Sequence, residues 1–348
     1  MSVFKILLSL FIICLIIVVH EFGHYIIARA NGIEVKEFFV GIGPNIISKK
    51  KGNTVYSLKL IPFGGACVFM DEEDIDKPEE CSYLNASVYS RMATILAGPI
   101  FNFILAFVFS LFVIGSVGYS NTAITEVSKG SPAESAGLMA GDEIVKVDGS
   151  KVYFYNEVTF ATMYNNGEPL SLKINRDGKT LDIVVTPEYS EEYGRMMMGI
   201  SFGEWVENPS PLQIIKYSFL NVRYWVKITL SSLKMLFTGI ISVNELSGPV
   251  GITQTVSDVY DEASEYGFKA VLLSLMDLLI LISANLGVMN LLPFPALDGG
   301  KLIFLIIEAV TKKPVNKNVE GAINFVGMAL LMLLMVFVLY NDIMRIVR

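Results

Sequence analysis

Long runs without a charge decide what this chain can become. Met92 to Ser120, Ala270 to Lys301 (interrupted by Asp277) and Gly321 to Asn341 each reach the ~20 apolar residues a helix needs to cross a bilayer. A shorter run, Phe4 to Val19 with Lys5 near its start, continues directly into His20 and Glu21. With 53% hydrophobic and 18% charged residues, the composition is that of a membrane protein. The first run has no small-x-small cleavage site after it and reads as a retained span rather than a signal peptide. A net charge of −7 argues against a nucleic-acid partner. Cys14, Cys67 and Cys81 form no CxxC pair and read as free thiols.

Between the first two spans, residues 31–91 break into short alternating stretches punctuated by Gly41-Ile42-Gly43-Pro44, Lys51-Gly52-Asn53 and Pro62-Phe63-Gly64-Gly65, which predicts strands and turns. Tyr56, Leu58 and Leu60 share one strand face, Ser57 and Lys59 the other. The acidic run Asp71 to Asp76 reads as a solvated loop. Lys36, Lys49, Lys50, Lys51, Lys59, Lys77 and Arg91 in this section, and Lys312, Lys313 and Lys317 after the third span, put both segments on the cytoplasmic side by the positive-inside rule. The N-terminus and the stretch 121–268 are then extracytoplasmic, although Arg345 and Arg348 run against that orientation.

Within that stretch, Gly130 to Gly149 reads as a short helix, a glycine turn, a strand and an Asp-Gly turn. Strands Leu170 to Ile174 and Thr180 to Thr186 follow, and the pattern resembles a permuted bacterial PDZ domain ending near Phe202. Such a domain takes an extended peptide by strand addition, or serves only as a plug or spacer. From Leu212 to Ile240, Ile215, Phe219, Val222, Val226, Leu230, Leu233, Phe237 and Ile240 recur at helical spacing. Lys216, Arg223, Lys227 and Lys234 lie along one edge of that stripe. This fits a helix in the membrane interface, or one packed on other protein segments. The segments are a first transmembrane helix over 1–30, a β region over 31–91, a second span over 92–120, the PDZ-like domain over 121–202, an interfacial region over 203–268, and spans in 269–310 and 311–348.

His20-Glu21-Phe22-Gly23-His24 holds the only histidines in the chain. At i and i+4 the two imidazoles share one helix face, where both reach a single tetrahedral Zn²⁺ with the Glu21 carboxylate beside it. Without a metal, two imidazoles and a carboxylate at the apolar end of a span are expensive, about 3 kcal/mol for the carboxylate alone. A catalytic zinc needs a third protein ligand and an open position. Asp298 is the candidate, in a segment from Asn290 to Gly300 where Pro293, Pro295, Gly299 and Gly300 break an apolar helix. Irregular backbone at that depth is tolerated where it faces protein or a watery cavity. Asp277 is the rival ligand, and Cys14 lies about a turn and a half from His20, which suits ligation poorly.

These motifs, with Gly98-Pro99-x-x-Asn102 in the second span and Ser247-Gly248-Pro249-Val250-Gly251-Ile252, resemble the site-2 protease family of intramembrane zinc metalloproteases, nearest to the bacterial regulator of sigma-E protease type. The resemblance implies an α-helical polytopic membrane protein with four transmembrane helices, a membrane-associated β-hairpin region and an inserted α+β PDZ domain, located in the bacterial cytoplasmic membrane. It implies zinc held by His20, His24 and Asp298, water activated by Glu21, and cleavage of single-pass membrane proteins such as anti-sigma factors trimmed by an upstream protease, or of remnant signal peptides. Two departures stand out. The best-known members carry two PDZ domains where this chain has room for one, and Ala66-Cys67-Val68-Phe69 replaces the tyrosine and lysine that usually follow Gly64-Gly65.

A helical substrate must unwind before a carbonyl can be attacked, and an edge strand in 36–70 would hold it by β-addition. Asn290 is suited to hold the substrate chain, and Asn102 either lines the cavity or bonds a neighbouring helix. Two other classes compete: a non-catalytic PDZ-bearing adaptor, which has no need of Glu21 between two histidines, and a zinc transporter, which would need further metal ligands along a path.

Overall fold

The computed structural model describes residues 2–70, 82–203 and 205–347. The acidic run Asp71 to Asp76, Lys77 and Cys81 lie outside the described residues. The chain forms two compact units, Met1–Ser110 with Trp225–Arg348, and Leu111–Tyr224.

In the first unit, α1 (Val3–Ala30) leads into two long strands, β1 (Val35–Lys51) and β2 (Thr54–Phe69), and then α2 (Val88–Val117), which runs on into the second unit. β1 changes course at Gly41 and Gly43, both at positive φ, where a side chain would be strained. Its early residues therefore meet β2 twice: Phe38 lies opposite Cys67 on one side and Tyr56 on the other, while Asn45 to Lys51 pair back along Lys59 to Thr54. Thr54 and Ser57 are buried whereas Leu58 and Leu60 are exposed, the reverse of a sheet in water.

The second unit contains β3 (Tyr119–Ser120), β4 (Ile124–Val127), α3 (Pro132–Ser135), β5 (Glu143–Val147), β6 (Ser150–Lys151), α4 (Tyr155–Met163), β7 (Leu170–Arg176), β8 (Lys179–Val185), β9 (Glu188–Ser190), β10 (Arg195–Met197), β11 (Ile200–Phe202) and β12 (Trp205–Val206). β6, β5, β7 and β8 form a sheet in that order. Leu170, Leu172 and Ile174 alternate inward from β7 to meet Ile124, Ile144 and Val158 in one core. Asp148-Gly149 and Asp177-Gly178 supply the paired positive φ values of two tight hairpin turns. Ser131 caps α3 by accepting from the Glu134 amide, and Glu134 accepts from Gly130 N–H.

The helix α5 (Pro211–Thr238) begins in the second unit and ends in the first. Its early residues complete the second unit: Tyr217 stacks on Tyr119, Tyr224 meets Phe154 edge-on, and Arg223 pairs with the buried Glu157 at 3.5 Å. The compact unit thus extends past Phe202. The apolar stripe of α5 is split in use, with Val222 buried and Ile215, Phe219, Leu230 and Phe237 exposed.

The rest of the first unit is α6 (Pro249–Ser264), α7 (Phe268–Asn290), α8 (Asp298–Thr311) and α9 (Lys317–Val347). α1, α2, α7 and α9 are long and apolar enough to cross a membrane. α7 stops at Asn290 and α8 starts at Asp298, so the apolar run from Ala270 to Lys301 is two helices joined by a prolyl turn. Ile12 and Ile16 of α1 pack with Val256 of α6 and with Leu278 and Leu279 of α7. The buried Asp342 of α9 accepts from the Gly248 and Gly251 amides at the start of α6, where a side chain on either glycine would collide with it.

Candidate metal centre

α1 carries His20 and His24 on one face, both buried. α8 opens with Asp298, delivered by the turn that ends α7. Three ligand atoms converge: His20 Nε2 and His24 Nε2 lie 3.2 Å apart, and Asp298 Oδ2 lies 3.1 Å from the first and 3.3 Å from the second. Tetrahedral zinc with bonds of ~2.0–2.1 Å has ligand atoms about 3.3 Å apart, so the triangle fits such an ion without rearrangement.

The surrounding hydrogen bonds fix what each ring presents. His24 Nδ1 is 2.8 Å from the Thr94 carbonyl, which can only accept, so Nδ1 carries the proton and Nε2 presents a lone pair. His20 Nδ1 lies 3.2 Å from the Asn102 amide, whose Oδ1 is buried without a partner. A half-turn of that amide lets His20 Nδ1–H donate to Oδ1 and satisfies both groups. Both rings then aim Nε2 lone pairs at Asp298 Oδ2, itself buried without a hydrogen-bond donor. Two lone pairs facing a carboxylate oxygen repel unless a cation lies between them. The donor set, two imidazoles and one carboxylate, is that of a catalytic zinc with a position left open.

Glu21 lies beside this triangle, and the Cys67 backbone N–H donates to its Oε2 at 2.9 Å. A cavity of about 330 Å³ opens onto the group, lined by Ile17, Glu21, Gly65, Cys67, Asn290 and Asp298 among others. Asn290 Nδ2 is 3.4 Å from His20 Nε2. Asn102 is wholly buried on α2, and its backbone carbonyl accepts from Ser283 Oγ–H at 2.8 Å, linking α2 to α7.

Asn102, Asn290, Glu21, His20, His24 and Asp298 are thus brought together. Asp277 is not: it lies thirteen residues before Asn290 on α7, about 20 Å along the helix, and outside the three-residue group of metal-ligating side chains found among the described residues. Cys14 also lies outside that group. Sequence reasoning gave no role to Gly98, to the Thr94 carbonyl or to the Cys67 amide. A Cβ on Gly98 would stand 2.3 Å from His24 Nε2 and 2.8 Å from His20 Cε1, and one on Gly23 would stand 2.5 Å from the Ala97 carbonyl oxygen. These glycines let α1 and α2 approach until the imidazoles lie against bare backbone. The available signal was a glycine on each of two apolar helices, a common mark of close packing in membranes.

Residues 8–334 match the family model described as peptidase family M50. The chain belongs to peptidase family M50. It is similar to a Clostridium acetobutylicum protein that carries a provisional zinc metalloprotease name, 35% identical over 344 residues covering 99% of this chain and 98% of the relative. It is also similar to the zinc metalloprotease RasP of Geobacillus kaustophilus, 30% identical over 406 positions (94% of each chain). The regulator of sigma-W protease RasP of Bacillus subtilis is 31% identical over 409 positions, covering 94% of this chain and 95% of the relative. This M50 chain is a zinc metalloprotease, and the four long apolar helices among its described residues make it a membrane protein.

Proposed function

We propose that this M50 chain is an intramembrane endopeptidase that hydrolyses single membrane-spanning helices, with zinc held by His20, His24 and Asp298 and with Glu21 as general base. The observation that carries the reading is the convergence of His20 Nε2, His24 Nε2 and Asp298 Oδ2 within 3.1–3.3 Å, with both histidines on a helix long and apolar enough to cross a membrane.

When bound, zinc supplies Lewis-acid polarisation of the substrate carbonyl and makes a water acidic enough to lose its proton near neutral pH. The chain supplies the rest. Cys67 N–H holds Glu21 Oε2 and leaves Oε1 free to take the proton from water and later to pass it to the departing amine. The Thr94 carbonyl and Asn102 orient the imidazoles. Asn290 is close enough to bind an unwound substrate backbone whose amides would otherwise go unpaired in lipid. The β2 segment from Gly65 to Phe69, beside Glu21, offers an edge for strand addition.

By likeness to the sigma-W regulator, the substrates are membrane-anchored regulators such as anti-sigma factors, shortened first by another protease, or remnant signal peptides. The β region then faces the cytoplasm, and the N-terminus and PDZ-like domain lie outside the bacterial cytoplasmic membrane, as the lysines of 31–91 require. The test is a comparison of membrane proteomes from cells carrying the natural chain and Glu21→Gln. Single-pass fragments should accumulate in the variant; identical fragment profiles would overturn the reading.

A further inference from the structure

The outer part of the β region has an apolar surface turned outward and a cationic end. Ile42, Ile46, Ile47, Leu58, Leu60 and Ile61 are all exposed, while Thr54 and Ser57 are buried. A sheet that hides hydroxyls and presents isoleucine and leucine is arranged for an apolar solvent. Its position beside α1 sets its depth. At one end, Gly65 lies against Ile17 and Glu21, where a Cβ would stand 3.0 Å from Ile17 Cγ2. At the other end, Thr54 Oγ1 donates to the Val35 carbonyl at 2.8 Å and Asn53 Nδ2 to Glu34 Oε2 at 2.7 Å, just beyond the last residue of α1, Ala30. Ile17 precedes Ala30 by thirteen residues, about 20 Å of helix, so the sheet follows α1 from the level of the metal centre to the end of this membrane-length helix.

Lys49, Lys50 and Lys51 occupy the surface end, all exposed and with no ion pair among the described residues. Lys49 is the register partner of Tyr56, whose hydroxyl lies 2.7 Å from that of Tyr25, about one helical turn before Arg29 on α1. Among the described residues, the Glu34 and Glu37 carboxylates near this end are turned elsewhere, Glu34 to Asn53 and Glu37 to Ser57. Deeper in, the Lys59 ammonium is held over the Phe39 ring at 3.2 Å, a cation–π contact.

We propose that Lys49, Lys50 and Lys51, with Arg29, form a binding site for the phosphate headgroups of anionic phospholipids, whose acyl chains lie along the exposed Ile46, Ile47 and Leu58. The arrangement satisfies both parts of a lipid at once, with lysine stems covering apolar surface and ammonium groups at headgroup level. A water-facing hairpin would explain the lysines but leave the outward isoleucines unaccounted for. The inference does not depend on the proteolytic reading, and its test needs no substrate.

Full-length protein in phosphatidylcholine nanodiscs is titrated with spin-labelled phosphatidylglycerol or spin-labelled phosphatidylcholine, and the boundary-bound fraction is read from the spectra. The natural chain should prefer phosphatidylglycerol by about threefold or more. Lys49→Gln/Lys50→Gln/Lys51→Gln should lose most of that preference with zinc content unchanged, while Lys49→Arg/Lys50→Arg/Lys51→Arg keeps it. In a second measurement, the added emission of Ile47→Trp should be quenched by brominated acyl chains. An undiminished preference in the glutamine variant, loss of preference in the arginine variant, or an Ile47→Trp signal blind to brominated lipid would each overturn the proposal.

Discussion

The backbone amide of Cys67 donates to Glu21 Oε2 at 2.9 Å, so a strand holds the carboxylate that stands beside the two imidazoles. The Cys67 side chain takes no part in that bond. The departure from the tyrosine and lysine usual after Gly64-Gly65 therefore leaves the contact intact, because any residue but proline supplies the same N–H.

With one oxygen anchored in this way, Glu21→Gln should keep its shape and lose only proton acceptance. Zinc content measured by metal analysis should stay near normal while cleavage falls by at least ~100-fold. A glutamine variant that still cleaves would sink the assignment of Glu21 as base.

Asp298→Ala removes one ligand of three and should lower zinc content and cleavage together. Chelation of the natural protein should abolish activity, and added zinc should restore it. Full zinc and full activity in Asp298→Ala would sink the assignment of Asp298 as a ligand.

Gly98→Ala places a methyl group 2.3 Å from His24 Nε2. Loss of most zinc and about 100-fold or more of activity is expected. Gly115→Ala on the same helix is the control, since its Cβ meets Ile214 Cδ1 at an ordinary 3.7 Å. Equal behaviour of the two variants would show that the close approach at Gly98 is irrelevant.

In the second unit, Asp142 is 1% exposed and accepts from Arg176 Nε at 2.6 Å, from a terminal Arg176 nitrogen at 2.7 Å and from the Met139 amide at 2.9 Å. Burial works against its charge, but the guanidinium and the amide outweigh burial and hold the carboxyl below the usual carboxylate range. A depressed folded value contributes stability that is complete above the unfolded value of about 3.9 and is lost as pH falls through the folded one. Asp142→Asn should cost roughly 1–3 kcal/mol at pH 7, measured by denaturant unfolding of a fragment spanning 118–224. The gap should narrow towards pH 3; a gap independent of pH would refute the linkage.

That fragment, in mild detergent, should also unfold at higher denaturant than one spanning 121–202. The shorter piece lacks Tyr224 and Arg223, which cover Phe154 and Glu157, and lacks both members of the Tyr119–Tyr217 stack. Equal midpoints would mean that this cover adds nothing.

Spans and turns were legible because their causes are local. Charge-free length marks a crossing helix, and Asp148-Gly149 marks a tight turn whatever surrounds it. That His20 and His24 share a helix face follows from 3.6 residues per turn. Bringing Asp298 to them is a tertiary event, hinted at only by the prolines and glycines that interrupt the apolar run. The Thr94 carbonyl and the Cys67 amide left no trace, because backbone groups are the same at every position. The outward face of Leu58 and Leu60 was also hidden: alternation tells which residues share a face, not which solvent that face meets.

Every side chain in the metal centre comes from α1, α7 or α8, with α2 adding Asn102 and the space at Gly98. None comes from the contiguous stretch Leu111–Tyr224. The whole donor set is therefore encoded outside residues 111–224. A lineage can lengthen or replace that middle stretch without rewriting any residue that would hold the metal.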